Sequence, residues 1–170
     1  MKKRLGLIQM DVHVNDVEYN YNRVQELLTQ ALAECPDIIV LPETWNTGFH
    51  PSKDLINISD RNGERTKALL SAFSKEHNVN IVGGSVAVAK EDLIFNTSYA
   101  YNREGTLVGE YSKMHGFSPA KENQYFASGT HTTHFELDGI PCSTVICYDI
   151  RFPELVRMAA LSNTELLFVP

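Results

Sequence analysis

The chain has 170 residues, 43% of them hydrophobic and 21% charged, which is enough to bury the core of one globular domain. Its net charge of −6 and the lack of an apolar stretch long enough to cross a bilayer exclude nucleic acid and membranes as expected partners. Three cysteines at no disulfide spacing favour a reducing compartment, so a cytoplasmic protein with a small-molecule partner is predicted.

Strand and helix patterns alternate in the first half of the chain. Apolar residues recur at helical spacing between Val17 and Ala31, and Asn15 and Asp16 stand where a helix cap is needed. In chain order we expect a strand at 4–12, a helix at 17–31 ended by Pro36, a strand buried on both faces at 36–43, a long loop at 42–62, a helix at 64–77 and a strand at 78–89. This alternation predicts an α/β layered fold.

The second half of the chain changes to β-hairpin patterns. Turn residues at 103–105 separate two strand-like runs, and Asp138 and Gly139 separate two more. The expected order is a hairpin at 96–113, a polar loop at 113–133, a hairpin at 133–147, a helix at 154–162 and a strand at 164–170. Hairpins beside alternating elements predict mixed sheets. Because the final apolar strand has no covering segment, we expect one domain over residues 1–170 that is truncated at its C-terminus.

Cys147 is the candidate nucleophile. It stands where an apolar strand stops and a helix-compatible segment begins, in the stretch STVICYDIRFPEL (143–155). A strand end aims a side chain rigidly, and the turn after it offers backbone N–H groups to a developing oxyanion. The alternative is a buried cysteine that serves as a small apolar residue.

A cysteine nucleophile needs a base, because the thiolate is the reactive form. Glu43 and Lys113 each follow an apolar strand, where a carboxylate can accept the thiol proton and an ammonium can favour the thiolate. Each of them alone is equally compatible with a surface salt bridge. A Cys/His pair also stays open, because the sequence cannot place any histidine beside the thiol. The candidates are His13, His50, His77, His115, His131 and His134.

A structural zinc site is not expected. The nearest candidates are the pairs Cys142-x4-Cys147 and His131-x2-His134. Neither spacing matches a structural zinc motif, so no metal ligand is assigned.

The segments around the reactive residues resemble a known family. LPETWNTGF (41–49), EYSKMHGF (110–117) and VICYDIRFPEL (145–155) are similar, in the correct order, to the three signatures of the nitrilase superfamily, the carbon–nitrogen hydrolases. The resemblance extends from residue 4 to residue 170. It implies an α/β fold, a four-layer αββα sandwich with mixed sheets, of which this chain holds the N-terminal portion.

The resemblance also implies roles for single residues. Glu43 is then the general base, Lys113 the oxyanion stabiliser and Cys147 the nucleophile, with the backbone N–H of Tyr148 as a second oxyanion donor. The stretch SPAKENQYFASG resembles a loop of amidase-like members that carries a further glutamate, here Glu122. In a polar loop Glu122 can equally be a solvated charge.

The chain departs from the family pattern after His115. Leucine is usual at the next position, where this sequence has Gly116. The glycine is expected to widen or loosen the rim of the pocket and to leave the chemistry intact.

The stretch around Cys147 is most similar to the omega-amidase branch, whose substrates are short dicarboxylic acid monoamides such as 2-oxoglutaramate. We therefore expect hydrolysis of a small carboxamide through a thioester, with release of ammonia and without a metal or organic cofactor. Arg151 is the candidate for binding a substrate carboxylate, and a pair with Asp149 or Glu154 is its alternative.

Other functions stay open at this stage. An N-carbamoyl amino acid amidohydrolase would use the same catalytic residues and release carbon dioxide with the ammonia. A non-catalytic binding or assembly protein on the same fold is the alternative of another class. The resemblance also implies a homo-oligomer, a dimer or higher.

Overall fold

The computed structural model describes residues 2–170. The helices are α1 (Val17–Ala31), α2 (Leu55–Ile58), α3 (Glu64–His77) and α4 (Pro153–Leu161). The strands are β1 (Leu5–Leu7), β2 (Ile38–Val40), β3 (Asp60–Arg61), β4 (Asn80–Val82), β5 (Val86–Lys90), β6 (Leu93–Tyr101), β7 (Leu107–Ser112), β8 (His134–Leu137), β9 (Ile140–Thr144) and β10 (Leu166–Phe168). Short 3₁₀ helices cover Leu32–Glu34, Ser118–Ala120, Glu122–Gln124 and Cys147–Arg151.

These strands form two sheets. The larger sheet has 7 strands in the order β1-β2-β4-β6-β5-β3, and β7 pairs with β6 outside that path. Strands β1, β2 and β4 run parallel, whereas β6 is antiparallel to β4, β5 and β7. The smaller sheet has 3 strands in the order β10-β9-β8, with β10 parallel to β9 and β8 antiparallel to it. The predicted mixed sheets are therefore confirmed.

Buried apolar side chains arrange these elements in layers. One cluster packs α1 and α3 on the larger sheet, with Val24, Leu28, Ile39, Leu70 and Ile81 among its members. A second cluster fills the space between the sheets and contains Ile38, Val82, Phe135, Cys142 and Phe168. Helix α4 connects the parallel strands β9 and β10 and contributes nothing to this second cluster, so it covers the outer face of the smaller sheet. The order helix, sheet, sheet, helix is the predicted αββα arrangement.

Several local predictions are also confirmed. Helix α1 begins after Asp16, whose Oδ1 accepts a hydrogen bond from the Tyr19 backbone N–H at 3.1 Å. The hairpin of β8 and β9 turns at Asp138 and Gly139, which have φ values of 51° and 76° as a tight two-residue turn requires. Within residues 2–170, no helix combines the length and the apolar character needed to span a membrane.

Two predictions in the first third of the chain were wrong, one on the length of a strand and one on the extent of a loop. The strand expected at 4–12 is limited to Leu5–Leu7, beyond which Gln9 and Asp11 interrupt the apolar run. The loop expected at 42–62 contains α2 and β3. Leu55 is buried against neighbouring strands, and this contact anchors α2 where the polar composition indicated a loop.

The strand expected at 78–89 is in fact two strands, β4 and β5. The break lies at Gly83 and Gly84, because Gly84 adopts φ +60° and a Cβ there would stand 2.0 Å from the carbonyl oxygen of Pro42. Only a glycine allows this approach to the segment that carries Glu43. The turn lets β4 and β5 pair with different parts of β6.

Candidate active site

The side chains predicted to react lie together where several strands end. Glu43 follows β2, Lys113 directly follows β7, Cys147 opens a 3₁₀ helix after β9, and Glu122 opens another in the loop after Lys113. The Nζ of Lys113 donates hydrogen bonds to Glu43 Oε1 and Glu122 Oε2, each at 2.8 Å. The charges of Glu43, Lys113 and Glu122 also act on the pKa of the Cys147 thiol.

Asn96 completes this cluster and was not predicted from the sequence. Its Nδ2 donates to Glu43 Oε1 and to Glu122 Oε1, each at 3.0 Å. Together with Lys113 it closes a ring of hydrogen bonds around two carboxylates, which we call the four-residue ring (Glu43, Asn96, Lys113 and Glu122). The available sequence signal was an asparagine in a strand rich in apolar and aromatic residues, a position where asparagine is depleted.

The two glutamates of the four-residue ring differ in their free oxygen atoms. Glu122 is fully buried, and both of its oxygens accept hydrogen bonds, Oε1 from Asn96 and Oε2 from Lys113 and the Phe117 backbone N–H. Glu43 accepts both of its hydrogen bonds through Oε1. Its Oε2 is therefore the carboxylate oxygen that remains to take a proton from a neighbouring group.

Burial and charge set the protonation of Lys113 and Cys147. Burial lowers the pKa of Lys113, but the charges of Glu43 and Glu122 and their hydrogen bonds outweigh it, so the net pKa is raised and the ammonium persists. Although Cys147 as a residue is exposed, its pKa is raised to about 11, by burial of the thiol first and then by the charge of Glu43 and a hydrogen bond to it. Lys113 acts in the opposite direction. The resting thiol therefore needs a base to become nucleophilic at neutral pH.

The backbone turns sharply at Cys147. Cys147 has φ +46°, a left-handed conformation that is costly for a residue with a side chain. Its N–H donates to Pro170 O at 2.8 Å, and the N–H of Asp149 donates to Ile146 O at 3.0 Å. The N–H of Tyr148 lies between them in the first turn of the 3₁₀ helix, where leading amides lack partners within the helix. This is the predicted oxyanion donor.

The carboxylate of Asp149 anchors the turn that carries Cys147 through four contacts. It is fully buried, and its Oδ2 accepts from the Tyr111 hydroxyl at 2.7 Å and from the Ile146 N–H at 3.0 Å. Its Oδ1 lies 2.9 Å from the His115 backbone N–H and 2.8 Å from His115 Nδ1. The His115 ring stacks on Phe152, with ring centroids 3.6 Å apart. The turn is therefore fastened to β7 and to the loop that follows Lys113.

The segment after Glu43 is held by the turn between β4 and β5. Thr44 adopts φ +44°, and its N–H donates to Ser85 Oγ at 3.0 Å. Trp45 is fully buried and donates from Nε1 to Gly83 O at 2.9 Å. The chain then returns so that the ring of Phe49 lies 5.8 Å from Lys113 Nζ. Phe49 is partly exposed and forms an apolar wall beside the four-residue ring.

The predicted binding residues lie on the same 3₁₀ helix as Cys147. Tyr148 packs its ring edge-on against Phe117 and Phe152. Arg151 is exposed, and within residues 2–170 it forms no ion pair with Asp149 or Glu154. Asp149 is occupied by Tyr111 and His115, so the pairing considered as the alternative is wrong.

Three of the histidines considered as alternative bases contact other residues. The ring of His115 lies against Asp149, and those of His131 and His134 lie against Thr130 and Ser143. At Gly116, where a wider or looser pocket rim is expected, a Cβ would stand 3.0 Å from the backbone N of Asn123. Within the loop that follows Lys113, the glycine allows the segment that carries Glu122 to approach the backbone next to His115.

Known proteins resemble this chain along nearly its whole length. The sequence profile of the family described as Carbon-nitrogen hydrolase matches residues 4–170. The 2-oxoglutaramate amidase of Bacillus subtilis (strain 168) is 36% identical over 169 residues, which cover 99% of this chain and 64% of that protein. The chloroplastic omega-amidase of Arabidopsis thaliana is 29% identical over 182 residues, which cover 99% of this chain and 48% of that protein. The chain thus spans less than two thirds of the length of these relatives.

Solved structures share the fold. A cysteine-to-alanine mutant of the amidase from Nesterenkonia sp. AN1, in complex with butyramide, has a TM-score of 0.87 at 22% identity, covering 99% of this chain and 64% of that one. A CN-hydrolase superfamily protein from Xanthomonas campestris has a TM-score of 0.80 at 29% identity, covering 89% and 56%. The first likeness shows the αββα fold alone, whereas the profile match along nearly the whole chain assigns the family. The chain belongs to the carbon–nitrogen hydrolase family.

Proposed function

We propose that the protein is an amidase that hydrolyses a small carboxamide through a Cys147 thioester. The observation that carries this proposal is the hydrogen-bond pattern of Glu43, which leaves Oε2 available while Oε1 is held by Lys113 and Asn96. A carboxylate with one occupied and one free oxygen, beside a thiol whose pKa is raised to about 11, has the arrangement of a general base and its nucleophile.

In the acylation step, Glu43 transfers the proton, Cys147 attacks, and Lys113 and Tyr148 stabilise the oxyanion. Glu43 accepts the thiol proton while the Cys147 sulfur forms a bond to the amide carbonyl carbon. The ammonium of Lys113 and the N–H of Tyr148 donate to the oxygen that becomes negative. Glu43 then returns its proton to the amide nitrogen, the carbon–nitrogen bond breaks, and ammonia leaves an acyl thioester on Cys147.

Deacylation follows the same order of steps, with water as the nucleophile in place of the thiol. Glu43 accepts a proton from a water molecule, whose oxygen attacks the thioester carbonyl, and the same two donors stabilise the second tetrahedral intermediate. The carbon–sulfur bond breaks, and the proton on Glu43 returns to the sulfur. The products are a carboxylic acid and the free thiol, and no metal or organic cofactor takes part.

The proposed substrate is a short dicarboxylic acid monoamide such as 2-oxoglutaramate. Two curated relatives carry the names 2-oxoglutaramate amidase and omega-amidase, which supports this class. The four-residue ring contains two carboxylates and one ammonium, so an anionic substrate needs a further cation. Arg151, exposed and unpaired within residues 2–170, is the cation we propose for the distal carboxylate.

Ammonia release by the intact protein from 2-oxoglutaramate, succinamate and butyramide tests the substrate class. We expect the two acids to be preferred, and Arg151→Gln to raise KM for the acids about tenfold while leaving butyramide unaffected. Arg157→Gln, on the exposed surface of α4, is the matched control. Equal rates for acids and butyramide would remove the role of Arg151. Carbon dioxide release from N-carbamoyl amino acids would indicate the alternative hydrolase, and no turnover of any amide would indicate a binding or assembly protein.

The proposal extends to the cellular location and the oligomeric state of the protein. We propose a cytoplasmic homo-oligomer, dimer or higher, that acts on a small molecule without nucleic acid or a membrane as partner. The negative net charge and the exposed apolar side chains of Ile150, Met158 and Leu161 support association with protein rather than nucleic acid. Light scattering on the purified intact protein measures the oligomeric state, and a monomer at micromolar concentration contradicts this part.

A further inference from the structure

We propose that Asn96 is a positioning residue of the active site, which holds Glu43 and Glu122 so that one oxygen of Glu43 faces Cys147. This inference rests on the function proposed above. The observation behind it is that Asn96 Nδ2 donates to two different carboxylates, Glu43 Oε1 and Glu122 Oε1, at 3.0 Å each. Asn96 does not touch the reacting atoms, so its effect on the reaction passes through Glu43.

The charges around Asn96 fix the orientation of its amide. Nδ2 lies against Glu43 Oε1 and Glu122 Oε1. Exchanging the nitrogen and oxygen would bring an amide oxygen to the same distance from both carboxylates, which is repulsive. The donor side of Asn96 therefore faces the glutamates in every low-energy arrangement.

The acceptor side of the same amide is left without a partner. Asn96 is 1% exposed, and its Oδ1 has no hydrogen-bond partner within residues 2–170. A buried unsatisfied oxygen is a cost to stability, so packing alone would favour an apolar residue at this position. The donor function toward two ionised groups is the interaction that offsets this cost.

The backbone makes Asn96 a rigid support. It lies in β6 between β5 and β7, where it pairs with Ala87 on one side and its carbonyl accepts from the Lys113 N–H at 2.8 Å on the other. Asn96 and Lys113 are therefore neighbours across the sheet, and their side chains approach the carboxylates as two fixed donors. Side chains placed on paired strands hold reacting groups more accurately than side chains on loops.

By holding the Glu43 carboxylate, Asn96 sets the geometry of proton transfer in the proposed reaction. With Oε1 held by two donors, the carboxylate plane of Glu43 is fixed, and Oε2 is the oxygen that remains to accept the Cys147 thiol proton in the proposed reaction. The same oxygen must accept the thiol proton during acylation and a water proton during deacylation. Loss of the Asn96 donor lets the carboxylate rotate about its last bond, and a displacement on the order of 1 Å lowers such rates about 100-fold.

The test compares Asn96→Leu with Asn80→Leu in the intact protein. Asn80 is a matched control, because it is also fully buried in the larger sheet, donates through Nδ2 and has an unpartnered Oδ1, but its acceptor is the Asp37 backbone carbonyl. We expect both variants to lose similar thermal stability. Only Asn96→Leu should lower kcat for amide hydrolysis, by about 10- to 100-fold, with KM changed less than about threefold. If Asn96→Leu does not fold, Asn96→Ser replaces it.

A second readout does not require turnover. Acrylamide, a neutral electrophile, adds to Cys147 when the sulfur bonds to its terminal carbon and the thiol proton passes to the neighbouring carbon. We expect the rate constant of this addition at pH 7 to fall about tenfold in Asn96→Leu and to stay within about twofold of wild type in Asn80→Leu. Unchanged addition and unchanged kcat in Asn96→Leu overturn the positioning role. A wild-type protein that hydrolyses no amide but shows the Asn96-dependent addition refutes the proposed function and retains the positioning role.

Discussion

The Tyr111 hydroxyl donates a 2.7 Å hydrogen bond to the buried carboxylate of Asp149, and this contact joins the strand that precedes Lys113 to the turn that carries Cys147. The two residues are 38 positions apart in the sequence. Because the proposed oxyanion donor and the proposed nucleophile lie on that turn, the contact helps to set their distance from the Lys113 ammonium. It acts on the proposed reaction through geometry alone.

Tyr111→Phe removes this hydrogen bond and should impair both stability and turnover. A hydrogen bond to a buried charged group contributes about 1.5–3 kcal/mol, so we expect the free energy of unfolding to fall by that amount. A fall in kcat of about tenfold should accompany it. Urea denaturation and ammonia release measure the two effects.

Tyr99→Phe is the control for Tyr111→Phe. Tyr99 lies on the neighbouring strand β6, is equally buried, and its hydroxyl has no partner within residues 2–170. Removal of this hydroxyl should leave stability unchanged or slightly increased. Equal losses in both variants would show that the Tyr111 hydroxyl contributes packing rather than a hydrogen bond to the turn.

The positions of Glu43, Lys113 and Cys147 could be predicted because each follows an apolar strand and lies in a recognisable motif. Asn96 could not be predicted in this way. It lies inside β6, and its neighbours in the four-residue ring come from segments distant in sequence. Asp149 was considered as a partner for Arg151, its near neighbour along the chain. The structure instead pairs it with Tyr111 and His115, which only the fold brings close.

The strand boundaries show a similar limit. The expected strand at 78–89 is rich in valine and other apolar residues, and its division follows from the close approach of Gly84 to the Pro42 carbonyl. The two long helices, α1 and α3, were predicted with their observed bounds. Local patterns therefore predict the helices, whereas tertiary contacts determine where the strands next to the site begin and end.

Lys113→Met should destabilise the protein far more than the loss of a surface pair. Lys113 is 3% exposed and neutralises two carboxylates, one of them fully buried. Removal of one member of a buried ion pair costs about 3–5 kcal/mol, because the remaining charges stay uncompensated. Lys90→Met is the control, since its pair with Glu110 is partly exposed and should contribute less than about 1 kcal/mol. Similar denaturation midpoints for the two variants would contradict the structural importance of the four-residue ring.

Asp138 should make stability depend on acid pH. It accepts two hydrogen bonds from Arg103 at 2.8 Å each and one from Lys3 at 2.7 Å. The Arg103 hydrogen bond holds the pKa of Asp138 well below its usual value, so the carboxylate stabilises the folded state above the unfolded pKa of about 3.9. This stabilisation is lost as the pH falls below that value toward the folded pKa.

Asp138→Asn should therefore cost about 1–3 kcal/mol at pH 7, and the difference from wild type should shrink below about pH 4. Chemical denaturation at pH 7, 5 and 3 measures this dependence. Glu26→Gln is the control, because the Arg23–Glu26 pair is mostly exposed. A cost that does not vary with pH would mean that the charge of the Asp138 carboxylate is not the source of the stabilisation.

Glu43→Gln should separate the two effects of Glu43 on the Cys147 thiol. Burial, the Glu43 charge and a hydrogen bond raise the pKa of Cys147 to about 11, and glutamine removes the charge. The pH midpoint of acrylamide addition should therefore lie below about 11 in the variant, because less negative charge opposes the thiolate. At pH 7, however, the variant should react more slowly than wild type, because the built-in proton acceptor is gone, and ammonia release should fall by at least about 100-fold. Mass spectrometry of the labelled thiol from about pH 6 to about pH 12 gives both quantities. Addition at pH 7 as fast as in wild type, together with unchanged turnover, would show that Glu43 is not the base.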